Sequence, residues 1–286
     1  MFSKAIRTAF LLLVLSIFIS GAMPKINYPL QRVVSLAPNL TEMICLLDVS
    51  DKLVGVTTDC DHPELVKKIE KTGAFGSPDL EKIVMLKPEL VIYSDIKDIN
   101  FARKLNNLGI PALQININSL ADLQHKMLLM GDLFGKKQEA KEIVTEWEKE
   151  LRRYALDNKW KKKIRVYFEL WRTPLITVGQ SSYLHEMIVI AGGENIAGHL
   201  ESPYPKPPTE YVLGADPELI VLGYTVTGNT KFPDTWQEVT ALKKGLVVND
   251  IDLDLLLRPG PRLFQGIKKL NQKINEARSV IEIDKP

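Results

Sequence analysis

The chain has 286 residues, 45% of them hydrophobic and 25% charged, an ordinary globular composition with room for one large domain or two lobes of moderate size. Its 37 basic and 35 acidic residues leave a net charge of +2. That balance excludes the basic surplus expected of a nucleic-acid binder.

The N-terminus departs from this average. MFSKAIRTAFLLLVLSIFISGAMP sets Lys4 and Arg7 before an apolar run from Ala9 through Ile19, followed by the small residues Ser20-Gly21-Ala22. The run is short for a bilayer span and has the layout of an export signal cleaved after Ala22, with an uncleaved anchor as the alternative. No cysteine lies near the junction, so a lipid anchor is not expected and the destination is the periplasm. The two cysteines, Cys45 and Cys60, show neither CxxC nor metal-finger spacing. Two free, mostly buried thiols are expected, with a disulfide as the alternative.

Beyond the leader, the pattern predicts a strand over 32–36, a helix in TEMICLLDV, a strand over 53–57 and a short helix from Pro63. A helix over 80–86, a strand over 90–94, a helix over 101–108 and a strand over 112–115 follow. This alternation argues for a parallel sheet covered by helices. From Lys136 to Asp157 there is no glycine or proline, and Ile143, Trp147, Leu151 and Tyr154 form one helical stripe. Glu148 and Arg152 add an i, i+4 pair. The alternation then resumes, with strands over 164–170, 219–222 and in GLVVN, a helix over 183–191 ended by Gly192-Gly193, and a closing helix over 262–274. The predicted organisation is a signal at 1–22, an N-terminal α/β lobe at 23–135, a connecting helix at 136–157 and a C-terminal α/β lobe at 158–286.

One stretch occurs twice. LEKIVMLKPELVIYS, from Leu80, matches TEYVLGADPELIVLG, from Thr209, and upstream Phe75 and Tyr204 stand at the same distance from Glu81 and Glu210. Both glutamates fall in the first turn of a helix expected to begin at proline, Pro78 in one copy and Pro207 or Pro208 in the other. A carboxylate there is favoured by the helix dipole, and that alone is one reading of it.

RVVSLAPNLTEMICLL, LVGVTTDCDHP, GAFGSPDLEKIVMLKPELVI, LITVGQSSYLHEMIVIAGGENIA and RPGPRL, in this order, resemble the periplasmic binding proteins of cobalamin and ferric-siderophore ABC importers, with the cobalamin branch most similar. The resemblance covers nearly all of the mature chain. It implies an α/β fold of two Rossmann-like lobes joined by a single long helix, with the ligand in a cleft between them, and a monomer without catalytic activity or a resident cofactor. It further implies that Glu81 and Glu210 dock on arginines of a permease homodimer in the inner membrane. The transported ligand would be a metal chelate, either a corrinoid such as cobalamin or an iron chelate such as a ferric siderophore or haem.

Such ligands are large, partly flat and partly apolar, and suit aromatic walls. Phe75 and Tyr204 match the aromatic positions of the family. Asp59, counted with the ligand-binding residues, stands where the cobalamin branch often has a tyrosine, and Ser94 where a tryptophan can occur; Tyr93 and Trp171 would compensate, although Trp171 would equally fit a core. Arg172, Arg258 and Arg262 would suit an anionic or amide-rich ligand, while Arg262 would equally serve a structural pair. A bare-metal site has little support, because His62, His125, His185 and His199 form no close pair. No nucleotide-binding, GxSxG or HExxH motif occurs. An enzyme reading would need Glu81 and Glu210 as a carboxylate pair.

Overall fold

The structure, a computed structural model, describes residues 28–226 and 231–283. The expected export signal and its cleavage point after Ala22 lie outside the described residues. In chain order the elements are β1 (Val33–Ser35), α1 (Pro38–Leu46), β2 (Leu53–Val56), β3 (Gly73–Ala74), β4 (Ser77–Pro78), α2 (Leu80–Met85), β5 (Leu90–Tyr93), α3 (Phe101–Asn107) and β6 (Ala112–Gln114). Then come α4 (Leu120–Phe134), α5 (Lys137–Asp157), β7 (Ile164–Trp171), β8 (Ile176–Thr177), α6 (Tyr183–Ile190), β9 (Gly193–Asn195) and α7 (Thr209–Ala215). The chain closes with β10 (Leu219–Leu222), α8 (Thr240–Lys243), β11 (Val247–Val248), α9 (Asp254–Leu257) and α10 (Leu263–Ile283).

Two compact units result. Unit 1 takes the described residues up to Ala37 together with Asp51–Gln114, and unit 2 takes Pro38–Ser50 with the described residues from Ile115 onward. This partition differs from the predicted one at 135/136 and 157/158: α5 lies wholly within unit 2, packed along α4.

Unit 1 is a parallel sheet in the order β2-β1-β5-β6. Its inner strands β1 and β5 are buried while the edge strand β6 is partly exposed, and Val34, Val91, Ile83 of α2, Phe101 and Leu105 of α3 share one apolar cluster. In unit 2, β7 pairs in parallel with β10 on one side, and β10 with β11. On its other side β7 pairs in parallel with β9 along its first half and antiparallel with β8 near its end. The parallel part, β9-β7-β10-β11, repeats the order of unit 1. Val212 of α7 sits in the unit 2 cluster with Tyr167, Ile220 and the buried Trp236, where α2 uses Ile83 in unit 1.

Several predicted elements shift. α10 extends to Ile283, well past the predicted end. α4, the helix that carries His125, has no bounds among the predicted elements; its interior Gly131 weakens the helical signal. The glycine is needed because a Cβ there would stand 2.5 Å from that of Ala140 on α5. Neither proline begins its helix as first residue: Pro78 belongs to β4, and Pro208 is the N-cap of α7. The predicted Glu148–Arg152 pair forms at 3.0 Å on α5. Cys45 and Cys60 are not joined by a disulfide, Cys60 being buried and Cys45 half-buried.

Candidate functional site

In unit 1 the route from sequence to site is short. Phe75 and Gly76 turn the hairpin between β3 and β4, and Gly76 has φ +77°, a backbone that glycine adopts at no steric cost. The ring of Phe75 is 42% exposed. Asp59 accepts a 2.7 Å hydrogen bond from the Phe75 backbone N–H, so its carboxylate fixes the hairpin tip. The hairpin feeds directly into α2: Asp79 caps the helix, accepting from the N–H groups of Glu81 at 3.0 Å and Lys82 at 3.2 Å. Glu81 follows in the first turn, exposed.

In unit 2 the segment carrying Tyr204 is held to the strand edge. Thr177 and Gly179 donate backbone bonds of 3.0 Å to the carbonyls of Pro205 and Pro203. A Cβ on Gly179 would lie 1.9 Å from the Ser202 carbonyl oxygen, so only glycine permits this approach. The Tyr204 ring is 43% exposed. Glu210 lies in the first turn of α7, also exposed. Among the described residues neither Glu81 nor Glu210 forms an ion pair.

The matched stretches are alike in three dimensions. Each helix leads into a non-glycine residue in the left-handed region, Lys87 (φ +47°) just past the cap of α2 and Asp216 (φ +42°) as the cap of α7, followed by proline, which cannot continue a helix. Next, Glu89 accepts from the backbone N–H of Arg32 at 3.1 Å, and Glu218 from that of Arg165 at 3.0 Å. The arginines reach back: Arg32 donates to the Leu86 carbonyl at 2.7 Å, and Arg165 to the Asp216 carbonyl at 2.9 Å. Thus each Glu-Leu pair carries a clamp that ties the end of the acid-bearing helix to the central strand. Burial pushes the Glu218 carboxyl up, but the Lys162 ammonium at 2.6 Å and the Arg165 N–H and charge outweigh it and hold it below the usual range. This clamp went unseen in the sequence, although an arginine just before the Val33 strand and another in the IRVYF strand were its visible signal.

The remaining predicted residues divide. Trp171 is 52% exposed at the end of β7, not core, with its indole N–H on the Thr173 carbonyl at 2.9 Å and its ring edge-on to Tyr224. Tyr93, expected at the ligand wall, is only 7% exposed and packs edge-on against Phe101; it is a core residue because that face of β5 carries the unit 1 cluster. Arg172 is turned inward, with its Nη2 buried and without a hydrogen-bond partner among the described residues. It donates to the buried Glu169 carboxylate and to the Lys231 carbonyl, and lies over the Phe232 ring at 4.6 Å. Tyr224 donates to the same Glu169 oxygen, and burial followed by that carboxylate pushes its phenol up.

Arg262 forks onto Glu42 of α1 at 2.7 and 3.0 Å, and this pairing, offset in part by burial, raises its pKa. Arg258 bridges Asp254 at 2.9 Å and approaches Glu42 at 3.6 Å. Both arginines tie α1 to the last helices. The alternative structural reading of Arg262 is the observed one.

Among the described residues, no cluster of three or more His, Cys, Asp and Glu could hold a metal ion. A groove of about 440 Å³ in unit 2, lined by Leu120, Gln124, Leu151, Glu186 and Val189 among others, contains none of the predicted site residues.

What kind of protein carries this duplicated design is decided by comparison. The model of the periplasmic binding protein family matches residues 33–250. The chain belongs to that family. Among similar proteins, a vitamin B12-binding protein of Vibrio vulnificus is 30% identical over 267 residues, covering 91% of this chain and 93% of that protein. An uncharacterized ABC transporter substrate-binding lipoprotein of Bacillus subtilis is 29% identical, covering 85% and 80%. The crystal structure of the periplasmic vitamin B12 binding protein BtuF of Vibrio cholerae superposes with a TM-score of 0.74 at 25% identity, covering 87% of this chain and 98% of that one. This periplasmic binding protein is therefore a substrate-binding protein of ABC import. Among its described residues no helix is long and apolar enough to cross a membrane.

Proposed function

We propose that this binding protein captures a corrinoid, cobalamin being the favoured form, and hands it to its permease through Glu81 and Glu210. The observation that carries the reading is the presentation of two half-exposed aromatic rings, Phe75 and Tyr204, each at the same place upstream of an exposed acid and each on a segment pinned by hydrogen bonds. The name of the Vibrio vulnificus relative supports the choice of corrinoid. Fixed aromatic faces suit a large, partly flat ligand, since little ordering remains to be done on binding. Trp171 adds an aromatic surface in unit 2; Asp59 acts through Phe75.

The acids act by charge-assisted pairing with basic groups of a two-fold symmetric permease. Solvated pairs are individually weak and serve orientation and recycling. The corrinoid is cargo, and the chain works as a monomer without a resident cofactor or a catalytic step. Its leader is removed after Ala22, and no cysteine stands near that junction for lipid attachment.

The test is calorimetric titration and tryptophan fluorescence of the mature protein with cyanocobalamin, a ferric catecholate, a ferric hydroxamate and haem. Submicromolar binding of cyanocobalamin alone, weakened at least tenfold by Phe75→Ala or Tyr204→Ala, is the expected result, about 1.4 kcal/mol or more per ring. Tight binding of an iron chelate instead would replace the corrinoid reading.

A further inference from the structure

The two acid-bearing helices expose more than their acids. On α2, the residues one turn beyond Glu81 are Val84 and Met85, both on the surface, with Met85 79% exposed. On α7, the matching residues beyond Glu210 are Leu213, also exposed, and Gly214. Positions three and four residues on share a helix face with the acid, so each unit presents a carboxylate with an apolar side chain beside it. Exposed aliphatic residues taken singly are unremarkable. Here they recur at equivalent positions of two units that share a strand order and a clamp.

Gly214 sharpens the point. It is exposed, has no backbone conformation that demands glycine, and a Cβ built on it would meet nothing within 4 Å. A glycine inside a helix costs about 0.5–1 kcal/mol relative to alanine. Among the described residues nothing repays that cost. A surface that approaches α7 closely would.

We propose that the docking footprint on each unit is the acid together with this apolar neighbour: Glu81 with Val84 and Met85 on unit 1, Glu210 with Leu213 and the bare backbone at Gly214 on unit 2. The partner is the ABC permease. Each half of it offers a basic group bordered by apolar side chains, the complement of an unpaired carboxylate bordered by aliphatic carbon. This inference rests on the docking role of Glu81 and Glu210 and adds the component that is not electrostatic. The acids supply a contribution that salt screens, while burial of Met85 and Leu213 supplies one that salt leaves in place.

The experiment uses proteoliposomes of the ABC permease whose ATPase activity the wild-type mature protein stimulates, and reads the concentration for half-maximal stimulation at low salt and at about 0.5 M salt. Met85→Ser and Leu213→Ser are expected to raise that concentration about tenfold each, at both salt levels, with ligand affinity unchanged. Gly214→Ala is expected to raise the melting temperature while weakening stimulation, a combination that a purely structural glycine would not give. Glu81→Gln and Glu210→Gln are expected to weaken stimulation at low salt, with the difference from wild type shrinking at high salt. If the acid variants are impaired while the Met85, Leu213 and Gly214 variants match wild type, the apolar footprint is refuted and docking through the acids stands. Should the acid variants also match wild type, the docking role falls and the footprint with it.

Discussion

Replacing Arg262 by methionine separates a structural arginine from a ligand arginine. Its guanidinium makes two hydrogen bonds to Glu42, at 2.7 and 3.0 Å, and Glu42 is buried. Removing one partner of a buried ion pair costs about 3–5 kcal/mol, because the remaining charge is left without compensation. Arg258 stays 3.6 Å from Glu42, beyond hydrogen-bond range but close enough to offset part of that loss, which puts the cost near the lower end, about 3 kcal/mol. For a chain of this size the melting temperature should fall by about 6–12 °C. Calorimetry of the mature protein measures the shift, and a cycle with Glu42→Gln should return a large part of it, since the double variant leaves no unpaired charge. Cyanocobalamin affinity, measured well below the melting point, should stay within about threefold of wild type, under 1 kcal/mol. A variant that melts within about 1 °C of wild type but binds ligand at least tenfold more weakly would refute the structural assignment and return Arg262 to the ligand site.

Three further outcomes follow from particular contacts. Gly179→Ala drives a Cβ against the Ser202 carbonyl and must displace the segment that carries Tyr204; a stability loss of about 1–3 kcal/mol together with weaker ligand binding is expected from denaturation and titration. Tyr224→Phe removes one of the two donors on the buried Glu169 oxygen, and urea unfolding should show a cost of about 1–3 kcal/mol. The Glu218 carboxyl is held below its ordinary value, so its stabilisation is complete above the unfolded value of about 4.3 and is lost as pH falls through the lower folded value. Glu218→Gln should flatten the acid limb of the stability profile in that window, and an unchanged slope would contradict the assignment.

Local pattern made much of the fold legible. The strands around Val34, Val91 and Ile220 are short buried runs, and α5 has an uninterrupted apolar stripe; both signals are strong within a single window of sequence. The extent of α4 was not legible because Gly131 answers to Ala140 on the neighbouring helix, a constraint that no local window contains. The site divides the same way. Phe75, Tyr204, Glu81 and Glu210 were readable as a repeated spacing. The arginines were readable only as charges. Whether a guanidinium meets a ligand or a buried carboxylate depends on which residue lies opposite, and Glu42 and Arg262 are brought together across 220 positions of chain. Tyr93 misled for a related reason: the last residue of a strand can face either the core or the strand's open end, and Phe101 settles which.

The repeated stretch joins two requirements that need not coincide. An acid presented to a partner is useful only if the helix beneath it keeps its orientation, and helices of six and seven residues are too short to be stable on their own. Each buries one residue fully, Ile83 and Val212, with Leu80 in unit 1 and Tyr211 and Ala215 in unit 2 packed beside them. Their ends anchor through the clamp, in which glutamate grips the start of the central strand and arginine grips the end of the helix. Both copies of the clamp act on backbone N–H and carbonyl groups, and in unit 2 Arg165 adds a 3.2 Å bond to the Asp216 carboxylate, which Lys87 does not offer in unit 1. The first glutamate of each copy therefore depends on the second: Glu89 and Glu218 hold in place the helices from which Glu81 and Glu210 reach outward. On the proposed docking role, a sequence that uses the outward acid twice also carries the inward one twice, which accounts for the recurrence of so long a stretch rather than of a single residue.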